Sequence, residues 1–209
     1  MKRFTISIMT ACALLLGACN KDYLDRQPLS QVDPDNYFRT DADLATYCNS
    51  FYAYLPGTAV FTRDAVSDNV ECSNNQQVQG KMIIPTDASS AGWNWGPLRN
   101  INFFLAYYDR AEISQDAKDT YAAEARFFRA WFYFDMVKRF GDVPWYSQPL
   151  TEASPELYKG RDSRVLVIDS VLSDLDFATA HLPSAKSIDR VTRWTAYALK
   201  SRVALFEGT

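Results

Sequence analysis

The chain has 209 residues, with 22 Lys and Arg against 25 Asp and Glu, for a formal net charge of -3. Charge this small and mixed builds no positive field, which excludes a nucleic-acid role and recruitment to anionic lipid by charge alone. A single histidine, His181, excludes histidine triads and His-rich metal sites.

The chain opens with Lys2 and Arg3, an apolar run over residues 4–16, and the close Leu16-Gly17-Ala18-Cys19. The run is too short for a membrane-spanning helix, which needs about 20 apolar residues. Small residues at 17 and 18 leave the bond before Cys19 open to a peptidase. Residues 1–18 therefore read as a lipoprotein export signal, and Cys19 as the lipidated N-terminus it leaves behind. Two or three acyl chains hold a protein firmly, since each buried methylene contributes about 0.8 kcal/mol. The competing reading is an ordinary secretory signal with a chance cysteine. Residues 19–39 are expected to form an extended tether, because Gln27-Pro28 and Asp33-Pro34 interrupt any helix there. Cys12 lies in the cleaved segment, which leaves Cys48 and Cys72 as candidates for a bridge in an oxidising envelope; Cys48 reads equally as a small hydrophobe on a helix.

From residue 40 the pattern turns helical. Thr40 offers an N-cap with Asp43 three residues on, and Leu44, Tyr47, Cys48, Phe51 and Leu55 share one face until Pro56-Gly57. Residues 58–96 keep no helical period and collect Asn, Gln, Ser and Asp, so a long loop is expected. Pro97 suits a first helical turn, with Leu98, Ile101, Leu105 and Tyr108 as its stripe. The longest helix is expected over 115–140, capped by Ser114 and ended by Gly141. Its aromatics cover two faces, so it should sit between neighbours, and its crowd over 127–134 reads as core; Glu124, Arg126 and Arg129 interrupt that surface and need partners or an exit to water. Residues 142–146 form the best extended piece. Ser163 and Thr192 open two further helices, with Ala198 and Ala204 permitting close packing on the second and Gly208 stopping it. His181, near a helix end before Pro183, reads as a solvated residue favourable to the helix dipole. The architecture read from these elements is all-α, made of tetratricopeptide-like helical hairpins with a long irregular loop region.

Several blocks together resemble one family. They are the tether Cys19-Asn20-Lys21-Asp22-Tyr23-Leu24-Asp25, the block Trp95-Gly96-Pro97-Leu98-Arg99-Asn100-Ile101-Asn102-Phe103-Phe104, and Ala123-Glu124-Ala125-Arg126-Phe127-Phe128-Arg129-Ala130-Trp131-Phe132-Tyr133-Phe134 running into Arg139-Phe140-Gly141-Asp142-Val143-Pro144. The chain resembles the SusD/RagB nutrient-uptake lipoproteins, over nearly all of the part from Cys19 onward. That resemblance implies a surface-exposed outer-membrane lipoprotein, a binding protein rather than an enzyme, that loads oligosaccharide or peptide into a SusC-like TonB-dependent barrel. Lys21-Asp22 then resembles the charged signal that sends such lipoproteins to the cell surface. Members of the family are much longer, so residues 40–209 are expected to correspond to the N-terminal helical-repeat part, in a truncated product or gene fragment.

A glycan binder needs flat aromatic faces for sugar C-H surfaces, flanked by amides and carboxylates for hydroxyls. The candidate ligand residues are Trp93, Asn94 and Trp95, with Asp68 and Asn69 before the polar loop. For Trp95 the competing role is packing on the repeat core. No phosphate loop, nucleophile elbow or metal-ligand cluster is present in the sequence, so no catalytic residue, metal or cofactor is assigned. The competing function is a helical-repeat adaptor that holds protein partners at the envelope. Replacing Cys19 by Ala should move the protein from the membrane to the soluble fraction on cell fractionation; an unchanged distribution would contradict the lipid anchor.

Overall fold

Reciprocal capping starts the first helix: the Asp43 amide donates to Thr40 Oγ1 at 3.3 Å while the Thr40 amide donates to Asp43 Oδ2 at 2.8 Å. In the computed structural model, which describes residues 36–57, 79–88 and 90–209, this helix is α1, Asp41–Phe51. The chain divides into two units, Met1–Tyr37 and Phe38–Thr209, and of the first only Asn36 and Tyr37 are described. Folded core in the second unit begins at Phe38, which is fully buried, inside the stretch expected to be tether. Cys48 is buried with a free thiol, and burial pushes its pKa well up; Cys72 lies outside the described residues.

The remaining helices are α2 (Gly96–Tyr107), α3 (Gln115–Phe140), α4 (Arg164–His181) and α5 (Arg193–Gly208). Ser114 and Ser163 cap α3 and α4 as expected, accepting from the amides of Ala117 and Leu166. Gly141 ends α3 with φ +68°, a value open to glycine and costly for other residues. On α2 the buried face is Leu98, Ile101, Asn102 and Phe104. The expected stripe placed Leu105 and Tyr108 there instead, and both are half-buried. The face turns because Phe104 fits among Phe38, Tyr47 and Phe51, with ring centres 5.6 to 5.9 Å away.

Successive helices run antiparallel. Between α3 and α4 the Thr120 hydroxyl donates to the His181 carbonyl, Arg129 pairs with Asp174, and the Arg164 amide donates to Asp142 Oδ1, which matches the start of one helix to the end of the other. Arg193 to Ala180, Lys200 to Asp176 and Arg164 to Glu207 do the same for α4 and α5. The result is all-α and tetratricopeptide-like, and among the described residues the one β feature is an isolated antiparallel bridge between Val143 and Asp162. His181 is the exposed last residue of α4, stacked on Phe177 at 4.2 Å. Ala198 and Ala204 are exposed rather than closely packed, because α5 turns Ala196, Leu199 and Val203 inward, and the helix continues through Gly208.

The charged residues of α3 find partners in different ways. Buried Glu124 accepts from the Tyr52 hydroxyl at 2.6 Å and from Arg190 at 2.7 Å, tying α1 and the chain before α5 to α3. The Arg126 guanidinium lies over the Phe177 ring at 4.0 Å. Arg129, 7% exposed, makes a two-pronged pair with Asp174, 3% exposed, at 2.7 and 2.8 Å. Removing one partner of a buried pair strands the other charge, so Asp174→Ala should lower unfolding stability by about 3–5 kcal/mol in urea titration. The double variant Arg129→Met with Asp174→Leu should recover much of that loss; a single variant within about 1 kcal/mol of the parent would contradict this role.

Candidate functional site

The site begins where the irregular segment before α2 turns at Gly92, whose φ of +80° L side chains rarely adopt; a Cβ there would also lie 2.6 Å from Arg139 Nη1. The Trp93 amide closes the turn by donating to the Ala88 carbonyl at 2.8 Å. Trp93 then stands edge-on to Phe140 and to Trp95, with ring centres 4.9 and 5.2 Å apart, and the Arg161 guanidinium lies 5.0 Å from its ring centre. Trp95 reaches further inward, against Phe132, Tyr133 and Tyr146 at 5.5 to 6.2 Å.

The facing wall is the chain between α3 and α4, and a buried polar network holds it in place. Asn102 Nδ2 donates to the carbonyls of Tyr146 (2.8 Å) and Gln148 (3.3 Å), while its Oδ1 accepts from Arg129 Nη1 at 3.3 Å. The Tyr146 amide donates to the Tyr133 hydroxyl at 2.6 Å, and burial pushes the Tyr133 pKa up, so that hydroxyl stays neutral. Asp162 anchors the far end by accepting from the Trp145 amide at 2.7 Å and from Lys159 Nζ at 2.6 Å. Lys159 also lies 5.2 Å from the Tyr146 ring centre. Partial burial alone would raise the Asp162 pKa, but these two donors and the lysine charge hold it below the ordinary 3.8.

The two walls enclose an open groove of about 950 Å³. Trp93, Trp95, Leu98, Arg99 and Asn102 line one side, and Pro144, Tyr146, Gln148, Leu150, Glu152, Leu157 and Lys159 the other. Aromatic faces next to amide and charged groups suit a ligand with both apolar C-H faces and hydroxyls.

Of the residues expected from sequence, Trp93 and Trp95 meet in the groove. Trp95 packs on Phe132 of α3 and also lines the groove. Asn94 is exposed and uses its side chain in the turn, where Oδ1 accepts from the Gly96 amide at 3.0 Å. Asp68, Asn69 and Cys19 lie outside the described residues. Tyr146, Gln148, Arg99 and Lys159 were not expected. Tyr146 and Lys159 join the tryptophans only through contacts that span the sequence, whereas Arg99 had a local signal, lying four residues after Trp95 near the start of the helix.

A model for SusD-like proteins, described as starch-binding and associating with the outer membrane, matches residues 22–205. The chain belongs to the SusD-like family. SusD-like protein P25 of Formosa agariphila is 23% identical over 212 residues, covering 90% of this chain and 40% of its own length. A SusD-like crystal structure from Bacteroides fragilis is 26% identical, with a TM-score of 0.73 over 87% of this chain and 38% of that one. A laminarin-binding SusD-like protein superposes with a TM-score of 0.61 at 22% identity, over 81% of this chain and 41% of its own. The chain thus spans about two fifths of the length of these relatives. Among its described residues no helix is long and apolar enough to cross a membrane.

Asp162 gives the groove an acid limit. Its depressed pKa means that its stabilisation is complete above pH 3.8 and is lost as pH falls through the lower folded-state value. Tryptophan fluorescence should therefore stay constant from neutral pH to about pH 4 and change below it. Asp162→Asn should alter the neutral spectrum and flatten the acid change; superimposable titrations of the two proteins would contradict the anchor.

Proposed function

We propose that this SusD-like chain is a nutrient-binding lipoprotein of the outer-membrane surface, which takes up oligosaccharide in the Trp93–Trp95–Tyr146 groove and passes it to a SusC-like TonB-dependent barrel. In this reading residues 1–18 are the export signal, Cys19 carries the lipid, residues 19–39 lead to the fold, and the helical repeats from residue 40 present the groove. No catalytic residue is assigned to it.

The observation that carries the reading is the pair Trp93 and Trp95 crossing at 77° on the wall of an open groove, with Tyr146 against Trp95 and amide and charged groups around them. Crossed ring planes meet sugar rings at more than one angle, and burying an apolar face of this size contributes about 1.5–3 kcal/mol. The family's description as starch-binding and outer-membrane-associated, and the name of the laminarin-binding relative, support a glycan as the ligand class.

Affinity electrophoresis in gels carrying soluble starch, a β-glucan or polygalacturonate tests the groove. Trp93→Ala should weaken retention by about tenfold and lower the unfolding midpoint only slightly, because its half-buried ring packs on Phe140 at the rim. Trp95→Ala should weaken retention and also lower stability, since its ring packs on Phe132 and Tyr133. Retention unchanged in Trp93→Ala, or absent for the parent on every gel, would sink the proposal.

A further inference from the structure

The chain as a whole is acidic, with a net charge of -3, whereas the residues lining the groove are close to neutral in sum. Glu152 is the one carboxylate among its lining residues, against Arg99 and Lys159. The charge of Lys159 is met within the wall by Asp162 at 2.6 Å. Arg99 is exposed, and among the described residues no carboxylate pairs with it. Its amide donates to the Trp95 carbonyl at 3.0 Å, and both residues line the groove. A second guanidinium, Arg161, sits over Trp93 and is otherwise bonded to a backbone carbonyl, that of Asp142 at 3.4 Å. Among the described residues neither Arg161, which lies over Trp93, nor Arg99, which lines the groove with Trp95, has a carboxylate partner.

We propose that the groove selects acidic saccharides, in which a sugar ring lies on Trp93 and Trp95 and a carboxylate or sulfate group is held by Arg99. The selection rests on the oligosaccharide reading of the same groove. A planar guanidinium offers paired N-H donors that match a carboxylate or sulfate, whereas a neutral sugar closing over Arg99 would displace its water without returning a charge. The preference is electrostatic and partly exposed, so added salt should reduce it.

Isothermal titration of the full chain with oligogalacturonate, a sulfated galactan oligosaccharide, and neutral malto- and laminari-oligosaccharides tests the selection. At low salt at least one acidic ligand should bind about tenfold more tightly than the neutral ones, and which of the two does so separates carboxylate from sulfate recognition. Arg99→Gln should bring acidic-ligand binding down by about tenfold, to the level of the neutral ligands, while leaving the unfolding midpoint unchanged. Neutral ligands binding as tightly as acidic ones, or an acidic preference that survives Arg99→Gln, would overturn the selection. If neutral binding in that case still depends on Trp93, the broader glycan reading stands; if no ligand in the panel binds, both fall.

Discussion

The requirement to satisfy a buried guanidinium organises this protein. Arg129 lies mid-way along the longest helix with little water access, and each side of its planar head is directed at a different element. Two donors clamp Asp174 on the neighbouring helix, and another reaches Asn102 and the backbone at Ser147. Because a stranded charge in that position costs several kcal/mol, the geometry of these three elements is coupled. Asn102 extends the coupling to the carbonyls of Tyr146 and Gln148, so the irregular chain after α3 is held open as a wall rather than collapsing on the helices. One ion pair thereby joins helix packing to the shape of the groove.

The aromatic surplus divides along the same line. Phe127, Phe128, Tyr133 and Phe134 are buried, while Trp131 and Phe132 are half-buried on the flanks of α3. Phe132 and Tyr133 act as a floor: Trp95 rests on both, and the Tyr133 hydroxyl accepts from the wall. The rings that line the groove are therefore rigid because the core beneath them is dense. A binding surface built this way loses little conformational entropy when a ligand arrives. A second polar cluster, Glu124 with Tyr52 and Arg190, does comparable work at the other half of α3, where it fixes the chain entering α5.

Much of the fold was legible in sequence because helix boundaries are set by local chemistry. Thr40, Ser114 and Ser163 cap their helices, Gly141 ends the third, and each acts within a few residues of its own position. The faces were less legible where tertiary packing rotates them: the cluster around Phe38 draws in Phe104 and leaves Leu105 half-buried. Half of the candidate site was readable as well, since two tryptophans two residues apart in a polar segment stand out. The other half was not. Tyr146 and Gln148 join the groove through Asn102, 44 and 46 residues away, and no local periodicity encodes that juxtaposition. Asn94 also has a local task that its place between two tryptophans does not announce, since the turn before α2 uses its oxygen for the Gly96 amide.

A ligand that enters between α2 and the wall held by Asn102 and Arg129 must shield both from solvent. Hydrogen-deuterium exchange of the intact protein, with and without an oligosaccharide that it retains, tests this most directly. Exchange should slow in peptides covering residues 93–99 and 144–159, with α5 unchanged. Slowed exchange confined to α5 or to the outer face of α4, with those two segments unaffected, would contradict it.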